Sequence, residues 1–480
     1  MNEESNRDAM LSALSAIVGT KGFSCDPDEL APWLTDWRGR FTGRAMAMIS
    51  PANIGEVAEV VKLAAEHRMA IVPQGGNSGM VGGATPDASG GALLLSLRRM
   101  NRIRSIDTEA RQVIAEAGVV LQTLHEKVAE QGLRFPLTLG GKGSATIGGL
   151  VSTNAGGTQV LRHGTMRNLV AGIEAVLPNG SVFSGLAALK KDNRGYDLKH
   201  LLVGAEGTLG IVTAATLRLS PALAGRAVVW AGLDSPQTAR KLLLFLEDRL
   251  GEAMEGFEIL PRRCLANVLK HIPGTRQPID SDHRWHVLVE LIADSHRRGD
   301  PAALAESAFA DAMDAGLIES AAISASEAQA EAFWKIRDSI SEAERAHGPA
   351  MQHDISVPVD AMAGFIIDAG AQIEQEFAGT QVAAFGHMGD GNVHFHVVAP
   401  PGADPAHWPE HDGKAISARV HDLVTDAGGS ISAEHGIGQL KRDELARLSD
   451  PARIAAQRAI KTAFDPLGIM NPGKLVPIAP

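Results

Sequence analysis

Apolar residues recur at two spacings along this chain. Recurrence every three to four positions predicts amphipathic helices over 7–18, 53–67, 119–131, 235–250, 302–315, 327–346, 359–377, 409–427, 439–448 and 451–464. Short apolar, β-branched runs bounded by turn residues predict strands over 45–49, 69–72, 92–97, 113–115, 169–177, 181–184, 228–233, 254–260, 286–292, 354–357, 382–385 and 393–398. Two local signals sharpen this pattern. Asn53 followed by Glu56 is a capping box opening a helix, and Asn179 with Gly180 between two strand-like runs is a hairpin turn.

Glycine-rich segments interrupt the pattern in three places: PQGGNSGMVGG (73–83), directly after a predicted strand, GGKGSATIGGLVSTNAGG (140–157) and NRGYDLKHLLVGAEGTLGIVT (193–213). Glycine lets a backbone turn tightly and lets its N–H groups approach a ligand. Such a loop forms a nest for an anion, most often a phosphate. The first loop is neither a P-loop nor the dinucleotide GxGxxG. The first alone has a flexible surface loop as its less favoured alternative; together the three read as one extended ligand lying against backbone. Beyond Pro221 the glycines thin out, and the terminal MNPGKLVP (470–477) again looks like the earlier glycine segments. The chain is therefore expected to divide into 1–222, 223–438 and 439–480, the last rejoining the first.

The densest chemistry lies in FGHMGDGNVHFHV (385–397), with His387, His394 and His396 within ten residues. The Gly-Asp-Gly-Asn run predicts a tight turn between two strands. His394 and His396 are two apart and share one strand face, with His387 close across the hairpin. Imidazoles converging on one face suit a divalent metal, against the bland alternative of a metal-free core strand. In SAEHGIG (432–438), Glu434 could complete a two-histidine, one-carboxylate site, leaving His435 free to act as a base.

Composition narrows the partners. A net charge of −11 argues against nucleic acid and anionic membranes. No apolar run reaches the ~18 residues of a membrane-spanning helix, and the polar start MNEESNRDAM shows no secretory signal, so a cytoplasmic location is expected. Cys25 and Cys264 are too few for an iron–sulfur cluster, so electrons must leave by another carrier. Arg98, Arg99, Arg102 and Arg104 form a basic run that reads as a solvated surface or a docking patch for a redox partner.

PQGGNSGMVGG, TIGGLVSTNAGG (146–157), GYDLKHLLVGAEGTLGIVT (195–213) and NPGK resemble the flavin-binding half of vanillyl-alcohol-oxidase-type flavoproteins. GHMGDGNVHFH and SAEHGIG resemble the cap domain of their D-2-hydroxy-acid dehydrogenase branch, which includes D-2-hydroxyglutarate, D-lactate and glycolate dehydrogenases. The resemblance implies an α+β, two-domain fold: a discontinuous FAD-binding domain and an α+β cap with an antiparallel sheet. It implies FAD contacts from Pro73, Gly75, Gly76, Asn77, Ser78, Gly79, Gly148, Ser152, Asn154, Gly156, Gly157, Glu206, Gly207, Ile211 and Asn471. Asn77 stands where covalently flavinylated relatives usually carry a histidine, so the FAD is expected to be non-covalent. His387, His394 and Glu434 would hold a divalent metal, usually zinc; His435 would be the catalytic base and Arg337 would bind the substrate carboxylate, with Ser341 and His396 as further substrate contacts. Two departures stand out: Gln352 replaces what looks like a substrate-binding lysine, and His396 replaces a frequent asparagine, open as a fourth metal ligand, a substrate contact or a second cation.

The implied reaction is oxidation of a D-2-hydroxy acid to the 2-oxo acid, with hydride passing to the flavin, the metal polarising the hydroxyl and His435 taking the proton. Electron-transfer flavoprotein or a quinone would accept the electrons, and a homodimer is among the expected states. An FAD-dependent, non-redox transferase of the same fold is the first competing reading; a flavin-free metal hydrolase is the second, and it would leave the three glycine segments unexplained.

Overall fold

The structure, a computed structural model, describes residues 3–294 and 299–477. It falls into two compact units. The first runs to Gly157, resumes over Gly164–Ser220 and again from Glu434; the second comprises Thr158–His163 and Pro221–Ala433. The division comes at Ala433, five residues before the expected 438, and six residues of the second glycine-rich region's sequel belong to the other unit.

The first unit has two larger sheets. Phe23–Ser24 (β1), Ala45–Ile49 (β2), Ile71–Gln74 (β3) and Ala92–Ser96 (β4) are ordered β1-β2-β4-β3, with β2 and β3 both parallel to β4. The helix Ile54–Glu66 follows β2, and Asn53 caps it by accepting the Glu56 N–H at 3.0 Å. Glu56 reaches back to the Ala52 N–H at 2.7 Å, so the box closes one residue earlier than its usual form. Ile103–Asp107 (β5), Gln112–Glu116 (β6), Val170–Val176 (β7), Val182–Gly185 (β8) and Ile211–Arg218 (β9) form an antiparallel sheet ordered β5-β6-β9-β7-β8.

β5 was not expected, because Arg104 and the preceding Arg102 disguise it as surface. Arg98, Arg99, Arg102 and Arg104 also have partners within the unit, while the Arg102 side chain stays 69% exposed. Arg102 and Arg104 bond the buried Glu116 at 3.0 and 3.2 Å, and Arg104 forks onto Glu174 with two 2.9 Å bonds. Arg99 donates to the Val18 and Ser50 carbonyls, and Arg98 lies over Trp33.

The returning C-terminal segment threads against β3. The Ile71 N–H donates to Ile469, and the Asn471 N–H donates to Ile71, both at 2.8 Å. The helix Pro451–Phe464 holds this turn with a buried ion pair. Lys461 Nζ donates to Asp465 at 2.5 Å, to the Thr208 carbonyl at 2.7 Å and to the Met470 carbonyl at 2.8 Å.

The second unit is built on one antiparallel seven-stranded sheet. Its strands are Leu223–Leu233 (β10), Met254–Pro261 (β11), Trp285–Asp294 (β12), Ser320–Ile323 (β13), Ala350–Ser356 (β14), Gln381–His387 (β15) and Asn392–Val398 (β16), ordered β13-β10-β12-β11-β15-β16-β14. Strand alternation gives the sheet two different faces. On one, Val229, Val289, Phe257 and Phe395 join a wholly apolar cluster with Leu242, Phe309, Ile366 and Ile416 of four covering helices. On the other, Trp230, Leu288, Leu260 and Phe385 pack against Cys264, Phe333 and Ile340, and the polar residues described below lie towards the β15–β16 side.

The expected single helix over 327–346 is two helices, Glu327–Asp338 and Ile340–His347, parted at Ser339. The break lets Ile336 and Ile340, on either side of it, both bury in the same cluster.

Lys461→Met is predicted to strand Asp465 as a buried, unpaired charge and to cost about 3 kcal/mol of stability. A lowered unfolding temperature by calorimetry checks this; an unchanged one would show that the ion pair contributes nothing net.

Candidate functional site

The expected cofactor residues of the first unit come together through the backbone. Gln74 clasps the 73–83 loop, its amide nitrogen donating to the Trp33 and Ala84 carbonyls. Asn77 adopts a left-handed φ of 52° and donates to the Thr35 carbonyl at 2.9 Å. A Cβ on Gly75 would meet Thr146 Oγ1 at 2.2 Å, and one on Gly76 would meet the Ser144 carbonyl at 1.7 Å. The first glycine loop therefore lies directly on the second.

Within that second segment Ile147–Thr153 is a helix, an element its glycines concealed. Gly148 is required there because a Cβ would stand 2.6 Å from that of Ala117. Thr146 is the helix N-cap residue, yet its buried hydroxyl has no partner among the described residues.

The third segment contributes only its later half. Tyr196 is 95% exposed, away from any such cradle. Glu206 donates its N–H to the Ser152 carbonyl at 2.8 Å, and Gly207 passes so close to Pro73 that a Cβ would lie 2.4 Å from its ring. Asn471 joins them, donating to the Gly83 and Glu206 carbonyls at 2.9 and 2.7 Å. Asn154 supports the assembly by accepting from Thr165 and from the Arg167 N–H. Gly157 packs on the Thr138 carbonyl, Gly156 is buried beside it, and Ile211 is in the apolar core. Gly79, with nothing within 4 Å of its would-be Cβ, faces open space, and Ser78 follows Asn77 in the same loop.

In the second unit the histidine hairpin forms in the expected register. Phe385 pairs with His394 and His387 with Asn392, so the side chains of 385, 387, 392, 394 and 396 share one face. The turn needs Gly391 at φ 80°, where a Cβ would strike the Val357 carbonyl at 2.1 Å. The His387 and His394 rings are 5.5 Å apart between centroids.

Glu258 on β11 lies directly across from His387. Sequence reasoning did not single it out, although an acid inside the apolar run MEGFEILP is a signal. Its buried carboxylate takes the His387 Nδ1–H on one oxygen and the Arg337 Nε–H, at 2.8 Å, on the other. Burial by itself would push this carboxyl up; Arg337 and His387 overcome it and hold the group far below the ordinary glutamate value. Arg337 also donates to His387 Nε2 at 3.2 Å, and its guanidinium lies over Phe385. Loss of water, then Arg337 and His387, keep the His394 ring well below the usual histidine value.

His396 has its own buried acid. Glu344, hidden in what read as an ordinary helix face, accepts from His396 Nδ1. Ser341 lies one turn earlier on that helix, and Gln352 is the register partner of His396 on β14. Asn392 fixes the end of the hairpin by donating to Asp354 and to the Ile355 carbonyl, both at 2.9 Å. The Ala433 N–H approaches the Asp354 carbonyl, so the chain leaves this unit beside the histidine strand with Glu434 as the next residue.

Residues 45–185 match the model of an FAD binding domain, and residues 223–475 match that of FAD linked oxidases, C-terminal domain. The chain belongs to the FAD linked oxidases. Among curated relatives, it is 36% identical over 474 residues to D-2-hydroxyglutarate dehydrogenase of Xanthomonas citri pv. viticola, covering 98% of this chain and 97% of that protein. It is 35% identical over 470 residues to the mitochondrial D-2-hydroxyglutarate dehydrogenase of Arabidopsis thaliana, covering 97% and 81%. Among solved structures, p-cresol methylhydroxylase with substrate bound aligns with a TM-score of 0.74 at 16% identity, covering 97% of this chain and 96% of that one. Alkyldihydroxyacetonephosphate synthase aligns at 0.71 and 15% identity, covering 97% and 84%. These two share the fold of this FAD linked oxidase, an α+β flavoprotein fold of vanillyl-alcohol-oxidase type.

The cradle suits FAD on its own geometry. Glycines at 75 and 76 let the first loop lie directly on the second, and the unspent Thr146 hydroxyl at a helix start is a donor of the kind a phosphate takes.

Lys474, in the NPGK turn of this unit, is buried, and burial lowers its ammonium to about 8 against the pull of Asp87. The folded protein thus releases this proton near pH 8, while the unfolded chain holds it to the ordinary lysine value. Between the two the unfolded state binds more protons, so stability is predicted to rise with pH above about 8. Denaturation midpoints across that range should rise in the wild type and stay flatter in Lys474→Met.

Proposed function

We propose that this flavoprotein oxidises a D-2-hydroxy acid to the 2-oxo acid, and that His387, His394, Glu434, His435 and Arg337 do the work on the substrate. The observation that carries the reading is the Glu258 carboxylate that grips both His387 and Arg337 on the face shared with His394. The names of the curated relatives, D-2-hydroxyglutarate dehydrogenases, support the substrate class.

FAD, when bound, supplies the two-electron acceptor for the hydrogen on the substrate's C2. His387, His394 and Glu434 offer two imidazole nitrogens and a carboxylate oxygen, a donor set that fits a divalent metal such as zinc. Glu258 supports this, because a ligating histidine commonly gives its other ring N–H to a carboxylate, which fixes the tautomer and raises its basicity. The metal would supply Lewis-acid polarisation of the hydroxyl.

Arg337 binds the substrate carboxylate, and its planar fork is held in place by the bond from Nε to Glu258. Ser341 and His396 line the substrate side, with Glu344 holding the His396 ring by its Nδ1. His435 takes the hydroxyl proton, which requires its neutral form. With two cysteines and no cluster ligands, the chain passes electrons to an external acceptor, electron-transfer flavoprotein or a quinone.

Anaerobic mixing with D- and L-2-hydroxy acids tests the reaction. A D-acid is expected to bleach the flavin absorbance while its L-enantiomer does not. FAD-loaded protein that no hydroxy acid bleaches would turn the assignment to the non-redox transferase that shares this fold.

His387→Ala tests the metal. It is expected to lower metal affinity and turnover at least about tenfold while keeping FAD; full metal content in that variant would remove His387 from the ligand set.

A further inference from the structure

The Glu206 side chain has a task that neither the flavin cradle nor the proposed chemistry accounts for. Its two carboxylate oxygens accept two successive backbone amides, Ile437 N–H on Oε1 and Gly438 N–H on Oε2, each at 2.8 Å. Those amides belong to SAEHGIG, a segment with no helix or strand to bond them. Every polar atom of the Glu206 residue is therefore committed: N–H to Ser152, carbonyl to Asn471 and carboxylate to the loop.

The loop is shaped to receive this carboxylate. Gly436 has φ 82°, and a Cβ there would lie 2.9 Å from Glu206 Oε1. Gly438 has φ 52°, and a Cβ there would lie 2.2 Å from the Val81 carbonyl. The same carbonyl accepts the Gln439 N–H at 2.9 Å. Glu206 itself holds a left-handed φ of 51°, an uncommon conformation for a glutamate, which the surrounding bonds maintain. Burial raises its carboxyl, and the two amides counter that rise.

Resting on the functional reading above, we propose that Glu206 is a positioning residue for the metal and proton-transfer site: by clamping the Ile437 and Gly438 amides it sets the backbone from which Glu434 and His435 project. The clamp belongs to the first unit throughout. It ties the loop with the proposed ligand and base to the same residue whose backbone bonds Ser152 of the second glycine segment and Asn471 of the C-terminal turn.

Glu206→Gln in the FAD-loaded full chain tests this. Glutamine keeps the shape but turns an NH2 towards a backbone N–H. Expected are hydrogen exchange in the 430–440 peptide faster by roughly tenfold, zinc affinity lowered by roughly ten- to a hundredfold in chelator competition, and kcat lowered with KM little changed, all at full FAD stoichiometry. Exchange and zinc affinity within about twofold of wild type would overturn the proposal, and so would loss of FAD with zinc retained, which would make the side chain a cofactor support. Should Glu206→Gln fail to fold, Gly436→Ala, which pushes on the same carboxylate from the other side, is expected to give the same signature, and a wild-type result there overturns it equally. Wild-type protein that binds no zinc and is bleached by no acid overturns the functional reading instead. That failure is distinguishable, because the amide exchange is read without metal or substrate.

Discussion

A glutamate buried in a β-sheet is tolerable only if it is paired, and much of the second unit is arranged to pair Glu258. Arg337 arrives from a helix and His387 from the neighbouring strand, each taking one oxygen. With both present the carboxylate stays charged deep in the protein. The charge in turn sets the ring orientation of His387 and the plane of the Arg337 guanidinium. Removing either partner would leave a buried charge short of compensation, so the geometry is held by the cost of its alternatives. Glu344 and His396 repeat the device on the same face. The opposite face, purely apolar, supplies the packing that keeps the strands in register.

The first unit solves a different problem by different means. Its candidate residues are mostly glycines and small polar residues, and they are brought together by backbone bonds and by contacts too close for a Cβ. Asparagine and glutamate at left-handed φ, Asn77, Asn154, Glu206 and Asn471, mark the corners. Each spends its side chain fixing another segment's backbone, so the corners of the cradle are held by side-chain bonds as well as by its one short helix. A nest of this sort presents N–H groups and open space, which is what a phosphate-bearing cofactor requires.

Local patterns in the sequence were legible where one force dominated. The Asn53 cap, the 451–464 helix and the β15–β16 hairpin needed only neighbouring residues to specify them, and they form as the spacing predicts. Elements were missed where composition and environment pulled apart. β5 carries Arg104, whose carboxylate partners Glu116 and Glu174 lie on other strands. The helix 147–153 looked like loop because its glycines serve close packing, and the break at Ser339 serves a shared core that no local periodicity reports.

What the sequence determined by itself was the inventory: alternating strands and helices, glycine segments with nest character, three histidines around one hairpin, and the family those motifs resemble. That follows because turn chemistry, strand alternation and motif order are short-range properties. What only the tertiary structure decided was which charges meet. Glu258 and Arg337 are far apart in sequence, as are Glu344 and His396, and Glu206 and Ile437, and each pair is joined only when a strand, helix or loop is laid beside another. Pairing of buried charges is a long-range outcome of packing, and it is there that an ordinary-looking glutamate becomes the anchor of a site.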